Sequence, residues 1–136
     1  MTSLTSPRLL RAAAVSAGLA LAGLAGAQSP ALAASTKTCN AQKTKYPNTN
    51  PGGYFTSLKV TGVSCASGAK LMKAYYTCRR KNGQGIQGRC KQSTVNSLRC
   101  TERRPASGRT SGEFNATVTC KKGSKKVVHS YQQILG

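Results

Sequence analysis

The clearest element of the sequence is residues 64–81, which read SCASGAKLMKAYYTCRRK. Apolar side chains recur there every three or four residues, which is the spacing of one face of an α-helix. Ser64 is a typical N-cap, because its hydroxyl can accept a hydrogen bond from a free backbone N–H group in the first turn. Basic residues crowd the other end, where the helix dipole favours positive charge, and Gly83 suits the terminating position. We therefore predict an amphipathic helix over 65–81.

The segments on either side of this helix have the alternating pattern of β-strands. Residues 54–61 alternate before it, and residues 95–103 and 114–120 alternate after it. A turn at 121–124 leads into residues 125–132, which return as a hairpin partner. The order strand, helix, strand, strand, strand predicts an α+β domain in which one helix packs on a three- to four-stranded antiparallel sheet.

The first 33 residues have the composition of a cleaved secretory signal. Arg8 and Arg11 form a short positive region, an apolar run of about 16 residues follows, and Ala-Leu-Ala at 31–33 supplies a small-residue cleavage site. The apolar run is short for a membrane span, which needs about 20 residues. We expect a secreted protein, either free or associated with the cell wall, with no transmembrane segment in its mature form.

The rest of the chain divides into two parts. Residues 34–53 are polar and rich in Pro, Asn and Gly, which predicts an irregular N-terminal arm. Residues 54–136 contain all the predicted strands and the helix, and we interpret them as a single small α+β domain. We expect this domain to be a monomer.

Six cysteines follow the signal, and an even number in an exported chain of this size predicts three disulfides. The alternative, a zinc site, lacks Cys-x-x-Cys spacing and has only His129 to help, so we expect no metal and no cofactor. Cys65 and Cys78 would lie roughly 20 Å apart on the helix and cannot bridge each other. From the expected order of the strands, one of fifteen possible connectivities is favoured. The favoured pairs are Cys65–Cys100, Cys78–Cys120 and Cys39–Cys90.

The charge balance indicates the kind of partner. The chain has 21 Lys and Arg against two acidic residues, Glu102 and Glu113, for a net charge of +19. Loss of Arg8 and Arg11 with the signal would leave +17. Because solubility needs a net charge of only about 2–8 in a small domain, the surplus favours attraction of a polyanion. The predicted contacts are Lys121, Lys122, Lys125 and Lys126 at the hairpin tip, supported by Arg79, Arg80, Lys81, Arg103 and Arg104.

Three anionic partners fit this surface: wall polymers, anionic lipid head groups, and nucleic acid bound without sequence specificity. The chain has no Trp, and several of its five Tyr and two Phe are needed in the core, so recognition of bases by stacking is disfavoured. The helix uses its apolar face against the sheet, so membrane insertion is less favoured than electrostatic binding at a surface. A secreted antimicrobial or inhibitory protein is an alternative with the same composition.

A further alternative is a small ribonuclease. Cleavage of RNA without metal needs a carboxylate base, a histidine acid and basic groups around the phosphate. Glu113 and His129 begin and end the predicted hairpin and could lie near each other across it. The simpler interpretation is that Glu113 is a turn residue and His129 a surface residue of a strand. We favour the non-enzymatic interpretation, because the chain has so few carboxylates.

The start of the helix carries a short motif: Val63-Ser64-Cys65-Ala66, followed by Ala69, Leu71 and Tyr75, with later cysteines on strands. In this motif the chain resembles a group of small exported actinobacterial proteins. The resemblance covers residues 54–131. It implies a disulfide-linked α+β domain and does not imply an activity.

Overall fold

The structure is a computed structural model that describes residues 34–46, 52–81 and 85–136. The signal predicted at 1–33 and the helix-terminating Gly83 lie outside the described residues. Within the described residues the strands are β1 (Thr36–Cys39), β2 (Gly53–Thr61), β3 (Thr94–Val95), β4 (Leu98–Arg103), β5 (Glu113–Lys122) and β6 (Lys125–Ile134). Helix α1 (Cys65–Lys81) connects β2 to the later strands, and short 3-10 turns occur at Ala41–Lys43 and Gly85–Gln87.

Helix α1 has the predicted bounds. The backbone N–H of Ser67 donates to the Ser64 hydroxyl at 3.1 Å, which confirms Ser64 as the N-cap. The helix buries Leu71, Met72 and Tyr75, among others, against the sheet. The prediction of an α+β domain with one helix on an antiparallel sheet is therefore confirmed.

The number of strands was predicted wrongly. The described residues form one antiparallel sheet of six strands in the order β1-β2-β6-β5-β4-β3, instead of three to four. The segment predicted as one strand at 95–103 is two strands, because the chain reverses at Asn96 and Ser97. Both residues have positive φ, 48° and 63°, as in a two-residue hairpin turn.

The segment predicted as an irregular arm contains the other additional strand. Thr36–Cys39 pairs along β2, with Thr36 opposite Thr61 and Cys39 opposite Leu58. Its four residues are Thr, Lys, Thr and Cys, so they show no apolar alternation from which a strand could be predicted. The strand is therefore defined by its pairing with β2 and not by its own sequence pattern. The prediction of an irregular arm is wrong at these residues.

The core lies between α1 and one face of the sheet. Strand β2 has a bulge between Phe55 and Ser57, so that Phe55 faces the core together with Leu58 and Val60 in spite of the odd spacing. The other buried side chains on this face are Cys39, Val95, Phe114, Ala116, Val118, Cys120, Val127, His129, Tyr131 and Gln133. Because successive side chains of a strand point to opposite faces of the sheet, the residues that alternate with these core positions lie on the face away from α1.

The presence of three disulfides is confirmed, but the predicted pairing is wrong. The bridges join Cys39 to Cys65, Cys78 to Cys90 and Cys100 to Cys120, so Cys65–Cys100, Cys78–Cys120 and Cys39–Cys90 do not form. The error has a physical reason. Strand β1 holds Cys39 beside the start of α1, and the register of β4 against β5 sets Cys100 directly opposite Cys120. Neither the strand nor the register was predicted.

Candidate anion-binding face

The face of the sheet opposite α1 is polar. Alternation along the strands places hydroxyl and cationic side chains there, and we call this surface the open face. Near its middle and at the end of the β5–β6 hairpin its members are Thr36, Thr38, Ser57, Lys59, Thr61, Thr94, Arg99, Thr101, Arg103, Thr117, Thr119, Lys121, Lys126, Val128 and Ser130, and each is exposed or half-buried. At the opposite end the same face carries Tyr54, Glu113, Asn115, Gln132 and Ile134. Many antiparallel sheets have one packed and one polar face, so a polar face alone does not indicate a function. The kinds of polar residue on the open face do bear on function.

Three cations lie side by side at one end of the open face. Arg99 on β4 is opposite Lys121 on β5, and Lys121 is opposite Lys126 on β6. Neighbouring strands are about 4.8 Å apart, so the three side chains leave the sheet in a line across three strands. We call Arg99, Lys121 and Lys126 the cation row.

A shallow cavity of about 300 Å³ lies beside this row, between β4 and β5. Arg99 and Lys121 form its cationic walls, Thr101 and Thr119 lie between them, and Lys122 and Gly123 line it at the hairpin turn. The Thr101 hydroxyl donates to the backbone carbonyl of Thr119 at 3.4 Å. An oxyanion in this cavity would meet the cationic side chains of Arg99 and Lys121 and the Thr119 hydroxyl as a donor, which is a suitable environment for a phosphate or sulfate group. The Thr101 hydroxyl, whose proton is directed at the Thr119 carbonyl, remains as an acceptor.

The four lysines predicted as one cluster are divided between the two sides of the sheet. Lys121 and Lys126 lie on the open face, whereas Lys122 and Lys125, which are opposite each other, border a cleft on the helix side near Ser67. Lys122, at the end of β5, also lines the cavity beside the cation row. All four side chains are exposed. A residue of the cation row, Arg99, was missing from the sequence prediction. Arg99 precedes Cys100, which the alternating pattern places on the core face of the strand. The same alternation predicts that Arg99 points away from the core, and this signal could have identified it.

The two acidic side chains are occupied away from the cation row. Glu102 is 2% exposed, binds Arg104, and accepts a hydrogen bond from the Tyr75 hydroxyl at 2.9 Å. Glu113 accepts a hydrogen bond from Gln132 Nε2 at 2.6 Å, and it is eight residues from Lys121 on β5, roughly 27 Å along an extended strand. Neither side chain is placed to neutralise the cation row.

Arg79, predicted as a supporting contact, is fully buried, so this prediction is wrong. Its guanidinium donates to the Tyr46 hydroxyl and to the carbonyl of Ile86, each at 2.9 Å, and also to Gln133 Oε1. The Tyr131 ring lies 4.6 Å from it. Burial raises the pKa of Tyr46, and the nearby guanidinium opposes that shift. Arg79 is a structural cation that ties the end of α1 to β6 and to the loop after the helix.

Arg104 is also a structural residue. Besides binding Glu102, its guanidinium donates to the carbonyls of Gln87 and Gly88, each at 2.7 Å, and lies 4.2 Å from the Phe114 ring centre. These bonds fix the loop that follows α1. Of the other supporting cations, Arg103 is exposed on the open face, while the half-buried Arg80 and the exposed Lys81 end the helix on the other side of the sheet.

The acid–base pair required by the ribonuclease hypothesis does not form. His129 is 1% exposed and packs against the rings of Phe55 and Tyr75, and burial lowers its pKa to about 3. Glu113 is opposite Ile134, five residues from His129 along β6, roughly 17 Å, and it lies on the other face of the sheet. The prediction that these two residues approach each other is wrong.

Comparisons with protein-family models, with curated proteins and with solved structures returned no match. Among the described residues, no helix is both long enough and apolar enough to cross a membrane. A function is therefore inferred from the charges, hydroxyl groups and geometry of this chain alone.

Proposed function

We propose that this protein is a secreted, disulfide-stabilised, non-enzymatic domain that binds anionic polymers through the cation row. The observation that carries the proposal is that the sheet sets like charges opposite each other: Arg99 beside Lys121, and Lys121 beside Lys126. Like charges directly opposite on neighbouring strands destabilise a sheet. An arrangement that lowers stability and has no carboxylate next to it is best explained by an anionic ligand.

Solubility alone does not account for this arrangement. A soluble surface intersperses charges of both signs and avoids large single-sign fields unless they attract a partner. Here both acidic side chains are bound elsewhere, and the opposite-strand pair Lys122 and Lys125 adds positive charge at the same end of the hairpin. A polyanion that reaches this end would release counterions from several cations at once, so its binding should depend steeply on salt.

The disulfides support the secreted part of the proposal. Three bridges are typical of small domains in oxidising compartments outside the cytosol. The signal predicted at 1–33 agrees with that location. In this environment the available polyanions are wall polymers, anionic head groups and released nucleic acid.

The test compares two triple variants that remove the same charge. We expect R99Q/K121Q/K126Q to weaken binding to heparin at least about tenfold at 0.1 M salt, and to lower the slope of log affinity against log salt by about 2. The control K70Q/K73Q/K91Q removes three exposed cations outside the cation row and should weaken binding less than about threefold. Affinity is measured by titration calorimetry at several salt concentrations.

Two results would contradict the proposal. If both triple variants lose affinity equally, attraction comes from the diffuse net charge and the cation row has no special part. If retention on heparin persists unchanged up to about 1 M salt, binding is not electrostatic, because charges are screened within about 3 Å at that ionic strength.

A further inference from the structure

The cation row is bordered by rows of hydroxyl groups on the open face. The second row, two residues further along the strands, contains Thr38, Lys59, Val128, Thr119 and Thr101, and the third contains Ser57, Ser130, Thr117 and Arg103. Rows two residues apart are separated by roughly 6.8 Å. Within about 14 Å of the cation row, the surface is therefore composed mainly of Ser and Thr hydroxyls.

These hydroxyl groups are arranged in pairs across strands. The hydroxyls of Thr36 and Thr61 are 2.8 Å apart, and those of Thr117 and Ser130 are 3.0 Å apart. A hydroxyl has one donor and two acceptor positions, so each pair uses one donor and keeps another donor and several acceptors for a ligand. A surface that both donates and accepts suits a ligand that itself carries hydroxyls and phosphate oxygens.

The open face has little to offer a nucleobase or a lipid chain. In the part of the chain that the structure describes, the exposed large apolar side chains are Tyr54 and Ile134. Tyr54 is seven residues from Thr61, which continues the cation row on β2, and this separation is roughly 23 Å. Base stacking on aromatic rings contributes about 1–3 kcal/mol per base in proteins that bind single strands. A nucleic acid on the cation row would lack that contribution.

We propose that the open face binds a polymer in which phosphodiester groups alternate with polyhydroxyl units, such as a polyol phosphate. One phosphate occupies the cavity between Arg99 and Lys121, with Lys126 adding positive charge beside it, and the polymer runs from there along β4 and β5. The polyol hydroxyls then lie over the second and third rows, where they bond Thr101, Thr117 and their neighbours. This inference rests on the proposed function and names the class of ligand that the site takes.

The planar guanidinium of Arg99 favours a phosphate at the cavity. Guanidinium groups bind phosphate oxygens through two parallel N–H donors, and Lys acts as a point charge without that geometry. Because the Thr119 hydroxyl also lines the cavity, a phosphate there can accept a hydrogen bond from it in addition to those from Arg99 and Lys121. The strands fix all these positions, so the ligand does not have to order a flexible loop when it binds.

The experiment compares poly(glycerol phosphate) with poly(U) of equal phosphate number, each titrated against the disulfide-bonded protein at 0.05 and 0.2 M salt. We expect poly(glycerol phosphate) to bind about tenfold tighter, since two or more additional hydrogen bonds form. The variant T101V/T117V keeps β-branched side chains on the strands but removes two hydroxyls. It should weaken poly(glycerol phosphate) about five- to tenfold and poly(U) less than about twofold.

Two further variants complete the design. T101S/T117S restores the hydroxyls and should recover most of the affinity, whereas T77V changes an exposed threonine of α1 and should have no effect. Thermal unfolding of each variant shows that it is folded. If the valine variant does not fold, T101A/T117A removes the same two hydroxyls and takes its place.

The outcomes separate the two levels of the proposal. If poly(U) binds as tightly as poly(glycerol phosphate), or more tightly, or if T101V/T117V binds poly(glycerol phosphate) as the wild type does, the polyol phosphate is rejected but the cation row still stands. If R99Q/K121Q/K126Q binds both polymers as the wild type does, or if neither polymer binds at 0.05 M salt, the proposed function itself fails.

Discussion

His129 shows how a single buried side chain makes the stability of this domain depend on pH. In the described structure neither ring nitrogen has a hydrogen-bond partner, and the ring packs between Phe55 and Tyr75. Burial disfavours the charged imidazolium, which lowers the pKa from 6.5 to about 3. The unfolded chain therefore takes up a proton at a higher pH than the folded chain.

The sign of the effect follows from this difference. Above about pH 6.5 His129 is neutral in both states and has no effect, and stability is lost progressively as the pH falls from about 6.5 toward about 3. We expect the free energy of unfolding of the wild type to fall about 2 kcal/mol more than that of H129L between pH 7 and pH 4.5. Denaturant unfolding at the two pH values measures this. An equal loss in both proteins would rule out His129 as the source.

Burial is also the reason that part of the site could not be predicted at the level of residues. The cations Arg79, Arg104 and Lys121 look alike in the sequence, but the first two are held by carbonyl, phenol and carboxylate oxygens inside the fold. These partners come from loops and strands distant in the sequence. The sequence does show the alternation along β4 and β5, and this alternation distinguishes Arg99 and Lys121 from their buried neighbours. The long-range partners that bury Arg79 and Arg104 could not be predicted from it.

At the scale of elements, the crossing of α1 over β2 depends on Gly68. A Cβ atom at this position would lie 2.6 Å from Val60 Cγ1, so a larger residue requires the helix or the strand to move. Alanine favours a helix over glycine by about 1 kcal/mol. The close approach to Val60 has the opposite effect, because overpacking a core costs about 1–3 kcal/mol.

We expect G68A to lower the free energy of unfolding by about 1–2 kcal/mol in spite of its better helix propensity. V60A removes the atom that Gly68 approaches, so G68A should be nearly neutral, or stabilising, when it is introduced into V60A. A double-mutant cycle by urea unfolding measures the coupling between the two positions. Additive effects would show that the contact does not limit the approach of the helix.

Elements whose signals are local were predicted well, and elements that depend on partners were not. Helix α1 has its own N-cap at Ser64, and β5 has its own alternation from Phe114 to Cys120, so both were found. Strand β1 has no apolar pattern and is defined by its pairing with β2. The turn at Asn96 and Ser97 lacks the glycine that usually marks a two-residue hairpin. The pairing of Cys39 with Cys65 depends on β1, and that of Cys100 with Cys120 depends on the register of β4 against β5, which is why these bridges were missed.

At the scale of the whole molecule, the charge surplus opposes folding while the disulfides favour it. The bridges close loops with sequence separations of 26, 12 and 20 residues. In the chain-entropy description each such bridge stabilises a domain by about 3 kcal/mol. The net charge of +19, or +17 without the predicted signal, works in the other direction, because like charges repel more strongly in the compact state.

This balance predicts that salt stabilises the protein. We expect the urea midpoint to rise as sodium chloride increases from 0.02 to 0.5 M, because screening shortens the range of the repulsion from about 20 Å to about 4 Å. The rise should be smaller in R99Q/K121Q/K126Q, where three neighbouring charges are absent. A midpoint that does not change with salt in the wild type would show that repulsion is unimportant for folding.

Both edges of the sheet are short: β1 has four residues and β3 has two. A long unpaired edge is a template on which a second copy can add its own strand. Many copies on one polymer would be at high local concentration, where strand addition between neighbours is most favourable. The edge strands themselves offer a neighbouring copy only four and two residues for pairing, so we expect neighbouring copies to cover the polymer without joining into fibrils, and to leave it as folded single molecules when salt is raised.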